Sequence, residues 1–218
     1  MNSIIIDLEM NEVIKELHPA QRKVLKFETM EIGAVKLNSD LEEIDEFKAY
    51  IKPVYNPIGE RYTKLTGISD DMVKDADIFE NVIINFANWC GQDYKIYSWS
   101  NVDRVQIKKE SRLKEVSSPM LDYMVDNWID FQAQFSKILG IHKNVGLKDA
   151  VNYAGFDFEG EMHDALWDAR NTAVLFRMSK DPDNLKEVMK PFVESMKKTK
   201  AMTFSLGELM QDVVIKEE

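Results

Sequence analysis

Three consecutive isoleucines, Ile4-Ile5-Ile6, run straight into Asp7-Leu8-Glu9 near the start of the chain. A β-branched run with no polar alternation reads as a strand covered on both faces, so helices must pack on each side of its sheet. Asp7 and Glu9 are two apart and share one face of that strand. Two carboxylates at the end of a buried strand are costly to leave uncompensated. No arginine stands near them in sequence. A hard divalent cation, which takes oxygen ligands, is one resolution. Coincidence is the other, because Asp-x-Glu recurs at Asp40-Leu41-Glu42 and Asp157-Phe158-Glu159. Only the first copy follows an apolar strand.

Further strands are expected over Glu31–Leu37, Ile44–Ile51, Tyr94–Ser98 and Trp128–Phe131, with Pro53 and Pro57 ending the third strand. Glu12–Lys26 is charged and reads as helix or loop, and Ser69 with Asp70 can cap a short helix. Phe79, Val82, Ile83, Phe86, Ala87 and Cys90 keep a helical period. Helices are also expected over Val102–Leu113, over Leu147–Ala154 before Gly155, and over Ala165–Met178. Strands in a run, then alternating with helices, predict an α/β fold: a mixed sheet flanked by helices. Asp181-Pro182-Asp183 breaks the pattern, which divides the chain into a domain over 1–180 and an extension over 181–218. Leu185, Val188, Met189, Phe192, Val193 and Met196 keep helical spacing there, and Pro191 must kink or restart the helix. Ser205 and Glu208 form a capping box before Leu209. The extension is therefore a helical tail, packed on the domain or on a partner.

The 28 basic residues are outnumbered by 38 acidic ones, giving a net charge of −10. That excludes a coat-like nucleic-acid binder but not an enzyme with an acidic centre and a local basic rim. Arg104, Lys108, Lys109, Arg112 and Lys114, against Glu110 alone, offer such a rim; the alternative is a solvated helix face. A single cysteine, Cys90, rules out a disulfide framework and a thiolate zinc site, and its apolar neighbours predict a buried, inert thiol. No apolar run approaches the roughly 18 residues of a membrane helix. Asp7 and Glu9 come early with no basic leader before them, so a cytoplasmic chain without a signal peptide is expected.

Two more segments carry chemistry. Asp103 follows Tyr97-Ser98-Trp99-Ser100-Asn101-Val102, where a strand gives way to a helix. By itself it reads as an acid satisfying the free N–H groups of a first helical turn. His163 stands five residues before Asp168, about 140° around an ideal helix, so they converge only if His163 lies in the loop before the helix.

Taken together, Asp7-x-Glu9, then Asp103, then His163 with Asp168 resemble the motifs of the DEDDh 3′–5′ exonucleases, whose fold is ribonuclease H-like. Glu31-Ile32-Gly33-Ala34-Val35 looks like the family's second strand, and Leu65-Thr66-Gly67-Ile68 like its nucleotide-wedge segment. The likeness is closest to the Eri-type and KapD-like branch and covers roughly residues 2 to 180. The tail has no counterpart in it. One departure concerns Met10 and Asn11, where many relatives have a small residue or threonine.

The resemblance implies two divalent cations, Mg²⁺ or Mn²⁺, stabilising charge on the attacking and leaving oxygens of a phosphodiester. It implies that Asp7 bridges both, that Glu9 and Asp168 complete one site, and that Asp103 holds the second through water. It makes His163 the base for the attacking water, a task that suits an imidazole with an ordinary pKa near 6.5. Substrates would be the 3′ ends of single-stranded RNA or DNA, released as nucleoside 5′-monophosphates. Leu65 and Ile68 would stack on the terminal base or else pack in the core. Thr66 and the backbone of Met10 would meet the terminal sugar, Lys108 and Lys109 would guide the phosphates, and Trp99 would pack beside the site. Trp128 and Trp167 read as core, and His18 and His142 as surface. Competing readings are a KapD-like regulatory or adaptor protein that binds a protein partner, and a proofreading subunit of a polymerase. A protein partner or homodimer through the C-terminal helices belongs to the first.

Overall fold

The computed structural model describes residues 1–143 and 145–196. The capping box at Ser205 and Glu208 lies outside the described residues. Five strands, β1 (Asn2–Glu12), β2 (Phe27–Leu37), β3 (Glu43–Tyr50), β4 (Tyr94–Ser98) and β5 (Trp128–Asp130), form one sheet in the order β3-β2-β1-β4-β5. The β1–β2 and β2–β3 pairs are antiparallel, whereas β4 and β5 join in parallel. The helices are α1 (Pro19–Val24), α2 (Glu60–Thr66), α3 (Asp70–Val73), α4 (Phe79–Cys90), α5 (Val102–Leu113), α6 (Pro119–Asp126), α7 (Phe131–Leu139), α8 (Leu147–Tyr153), α9 (Ala165–Met178) and α10 (Pro182–Val188). The mixed α/β sheet with flanking helices is the one expected.

The isoleucine run works as its pattern demands, with its residues dividing between two cores. Ile4, Ile6 and Leu8 meet Phe79, Ile83 and Phe86 of α4, Ile107 of α5, and Leu121 and Met124 of α6. Ile5 faces the other way, with Val35, Leu37 and Tyr97, onto α7, α8 and α9. Asp7 and Glu9 continue the Ile5 face, the one that α9 covers. A third, smaller cluster, Met30, Ile58, Ile68 and Val73, lies beneath α2 and α3.

Three helices, α2, α6 and α7, were not anticipated. The last two have a local cause. The Ser118 hydroxyl accepts the Leu121 N–H ahead of Pro119, and the Asp130 carboxylate accepts the Ala133 N–H. Gly140, at φ +66°, ends α7. The cap expected of Ser69 does not form; its neighbour Asp70 instead accepts the Ile58 N–H at 2.9 Å. Trp99 is buried in the core, its indole N–H donating to the Val145 carbonyl at 2.9 Å. Trp128 is buried, and Trp167 is half-buried under the Arg170 guanidinium. Cys90 is buried, and burial pushes its thiol up to about 12, which keeps it protonated and unreactive. At the C-terminal end, the helix restarts at 190–196 with Pro191 in its first turn. Leu185, Met189 and Phe192 are buried in the α9-side core, so this part of the tail packs in cis. Among the described residues no helix is long and apolar enough to cross a membrane.

Candidate functional site

The register places the acids in rows across the sheet. Asp7 pairs with Gly33, which pairs with Lys48; Glu9 pairs with Glu31, which pairs with Tyr50. A register shift follows directly, between Glu9 and Met10, so a bulge ends the regular ladder at the site. Gly33 is needed here for space. A Cβ on it would lie 2.1 Å from the Leu166 nitrogen and 2.2 Å from the Ala165 carbonyl carbon. Its absence lets the first turn of α9 rest on β2, next to Asp7.

The N-cap of α9 is Asp164, whose carboxylate accepts the Leu166 and Trp167 N–H groups. His163 therefore lies in the preceding turn, at φ +63°. The turn brings His163 back toward Asp168, as the five-residue spacing requires. One ligand atom each from Glu9, His163 and Asp168 lies within 4.8 Å of the others. Asp103, in the first turn of α5, is 5% exposed and close enough that its charge acts on Asp7.

Burial and mutual repulsion dominate the electrostatics. Asp7 is held well above the usual carboxylate range by burial and then by the charges of Asp103, Asp168, Glu9 and Glu31. Glu9 is pushed up to about 9 by burial, Asp168 and Glu31. Asp103 rises to about 7 through burial, opposed by hydrogen bonds from its own N–H and the Ser98 hydroxyl. Burial also raises Asp168 to about 7, against a hydrogen bond from the His163 N–H. Among the described residues, Asp168 Oδ1 is buried without a hydrogen-bond partner. Four crowded carboxylates, an orphaned oxygen and one imidazole are the donor set that hard divalent cations take. The residues present fit such a centre.

The remaining candidates separate. Leu65 stands 48% exposed on α2, but Ile68 is 2% exposed within the third cluster and offers no stacking surface. The Thr66 hydroxyl donates to the Tyr62 carbonyl and accepts the Ile68 N–H. Met10 is half-buried and packs on the Ile4/Ile6 side. Asn11 explains its own place in the departure from the family pattern. Its amide donates to the Pro57 carbonyl at 3.2 Å, and its oxygen accepts the N–H of Gly59, the N-cap of α2. Asn56 donates to the Glu12 carbonyl and accepts the Ile14 N–H, completing the link between β1 and the loop before α2.

Lys108, Lys109 and Arg112 are exposed on α5. Lys114 does not belong to the basic rim. Its ammonium is buried, 2.9 Å from Glu110 and 3.1 Å from Glu28. The Arg104 Nε donates to the Val125 carbonyl. Sequence reasoning missed the neighbours of the acids: Glu31, 1% exposed, and its partners Lys48 and Asp164. An acid inside an apolar strand, and an aspartate directly before an apolar helix, were the available signals.

An exonuclease family model, that of RNase T, matches residues 4–176. Human ERI1 exoribonuclease 2 is 29% identical over 204 residues, which cover 82% of this chain and 28% of that protein. Mouse 3′-5′ exoribonuclease 1 is 28% identical over 191 residues, covering 81% and 52%. The chain thus spans between about a quarter and a half of the length of these relatives. Among solved structures, the nuclease domain of 3′hExo, described as a DEDDh family member bound to rAMP, superposes with a TM-score of 0.70 at 24% identity, over 83% of this chain and 92% of that one. The sheet order, the matched span and these likenesses agree: the chain belongs to the DEDDh 3′–5′ exonuclease family, with Eri-type exoribonucleases among its relatives.

Proposed function

We propose that the chain is a metal-dependent 3′–5′ exonuclease acting on single-stranded nucleic acid, RNA before DNA, and releasing nucleoside 5′-monophosphates. The observation that carries this is the convergence of Glu9, His163 and Asp168, with Asp7 and Asp103 in electrostatic contact, at one end of a central strand. Residues 1–180 form the nuclease unit in this reading and 181–218 its extension. The names of the exoribonuclease relatives support RNA. Divalent cations of the Mg²⁺ or Mn²⁺ kind, when bound, neutralise the carboxylates and stabilise charge on the attacking and leaving oxygens.

The rest falls to side chains of the chain. Asp7, Glu9, Asp103 and Asp168 would hold the cations, whose charge would offset the repulsion among these carboxylates. His163 stands in a turn beside the Glu9–Asp168 pair, with its ring free of the helix. From there it takes the proton of the attacking water at an imidazole nitrogen. Leu65 presents apolar surface to the terminal base, and the Asn11–Gly59 link fixes the helix that carries it. Thr66 and the backbone of Met10 lie toward the terminal sugar. Lys108 and Lys109 steer the phosphates upstream.

A gel assay tests the reading: 5′-labelled single-stranded RNA and DNA, in Mn²⁺, Mg²⁺ or EDTA, with wild type beside His163→Ala. A ladder shrinking from the 3′ end, metal-dependent and lost in the variant, is expected. Absence of a ladder on every substrate while Mn²⁺ still raises the melting temperature would overturn it and favour the adaptor reading.

A further inference from the structure

Glu31, Lys48 and Asp164 form a charged group beside the catalytic acids but outside the set assigned to the cations. We propose that Lys48 is a positioning residue, which holds the turn carrying His163 by bridging Glu31 to Asp164. The kinetic half of this inference rests on the exonuclease reading; the structural half does not.

Lys48 stands on β3 in the row of Gly33 and Asp7. Its ammonium is 3.1 Å from Glu31 Oε1 and 2.5 Å from Asp164 Oδ2. Glu31 Oε2 accepts the Ala165 N–H at 3.2 Å, and Asp164 Oδ1 accepts the Leu166 N–H at 3.1 Å. Strands β2 and β3 thus grip the two residues that follow His163. That grip matters because His163 is at φ +63°, a left-handed conformation that a residue with a Cβ adopts uncommonly, so contacts around it help to hold it there. On the other side, a ring nitrogen of His163 lies within 4.8 Å of a carboxylate oxygen of Asp168. Release of Asp164 removes a restraint on the turn.

The bridge is not what docks α9. That helix is held by its apolar face in the core, by its close approach to Gly33, and by the ion pairs of Arg170 with Glu43 and Glu46 of β3. The Lys48 and Asp164 side chains are 31% and 22% exposed, and an ion pair with that much solvent contributes little to global stability; Glu31, 1% exposed, keeps the Ala165 N–H as a partner when the lysine is removed. Its loss should therefore free the turn and leave the helix in place.

Lys48→Met keeps the length of the side chain and removes the charge; Lys48→Arg keeps the charge. In metal-free protein, ring signals of His18, His142 and His163 are followed by NMR, with His163→Ala for assignment. Lys48→Met should shift or broaden the His163 signal alone and change the melting temperature by no more than about 2 °C. It should lower kcat on single-stranded RNA by about 10- to 100-fold, the scale of an ångström-sized misplacement, with KM within about threefold. Lys48→Arg should restore both signal and rate. An unchanged His163 signal, or an unchanged kcat, would overturn the proposal. So would a rate loss that tracks a fall in melting temperature and moves all three signals. An inactive wild type would overturn the exonuclease reading instead, and the bridge would then stand or fall on the ring signal.

Discussion

Gly33→Ala is the sharpest single test of how the site is assembled. The added methyl would meet backbone, the Leu166 nitrogen at 2.1 Å and the Ala165 carbonyl carbon at 2.2 Å. No side chain can swing away to relieve it. Restoring an ordinary contact of 3.4 Å to that nitrogen moves the first turn of α9 off the sheet by about 1.3 Å. That turn carries Asp164, follows His163 directly and precedes Asp168 by less than one helical turn. Overpacking of this kind costs about 1–3 kcal/mol, which in a domain of this size lowers the melting temperature by roughly 2–12 °C. The rate should suffer more than the fold, because a misplacement of about 1 Å at reacting groups can cost about 100-fold. Thermal melting, paired with single-turnover hydrolysis of a 5′-labelled RNA at saturating Mn²⁺, measures both. A Gly33→Ala protein that melts and cleaves like wild type would refute the claim that close approach of α9 to β2 builds the site.

Two further predictions concern charge. The folded-state pKa values of Glu9, Asp103 and Asp168 stand above the unfolded values of roughly 4. Such groups cost nothing in acid and destabilise the fold as pH rises, from about 4 to about 7 for the two aspartates and to about 9 for Glu9. Metal-free protein should therefore melt lower at pH 8 than at about pH 5.5, and Mn²⁺ should raise the melting temperature more at pH 8. Equal metal-induced shifts at both pH values would contradict the acidic cluster as the cation site. Replacing Lys108 and Lys109 with alanine should weaken oligonucleotide binding and reduce its logarithmic salt slope by about 1.4, two phosphates at about 0.7 each. A slope equal to that of wild type would leave these lysines as a solvated helix face.

The parts of the fold legible in the sequence were those with a local, periodic cause. The isoleucine run marked the central strand, and the helices at Val102–Leu113 and Ala165–Met178 fall where the apolar pattern puts them. The α6 helix was equally local, with Ser118 ahead of Pro119, and was overlooked because its apolar stripe is only two turns long. What no local pattern could supply was long-range pairing. Lys114 looks like one more cation on a basic helix until Glu28, 86 residues away, arrives to bury it. Ile68 and Leu65 look alike in a wedge-like segment, and only the third core cluster separates them. Glu31 became informative only once Ala165, 134 residues distant, was found to donate to it.

Backbone amides around the site are capped by side chains from elsewhere in the chain. Asn11 on β1 takes the N–H of Gly59, Glu110 on α5 takes that of Thr29, and Glu31 on β2 takes that of Ala165. Fraying any one of these segments strands a buried acceptor on another element, which costs about 1–3 kcal/mol, more than the net worth of the hydrogen bond. The strand ends, the wedge helix and the histidine turn are thus each anchored by a side chain of another element. Under the proposed function, a substrate end would meet walls whose backbone amides the chain itself already satisfies.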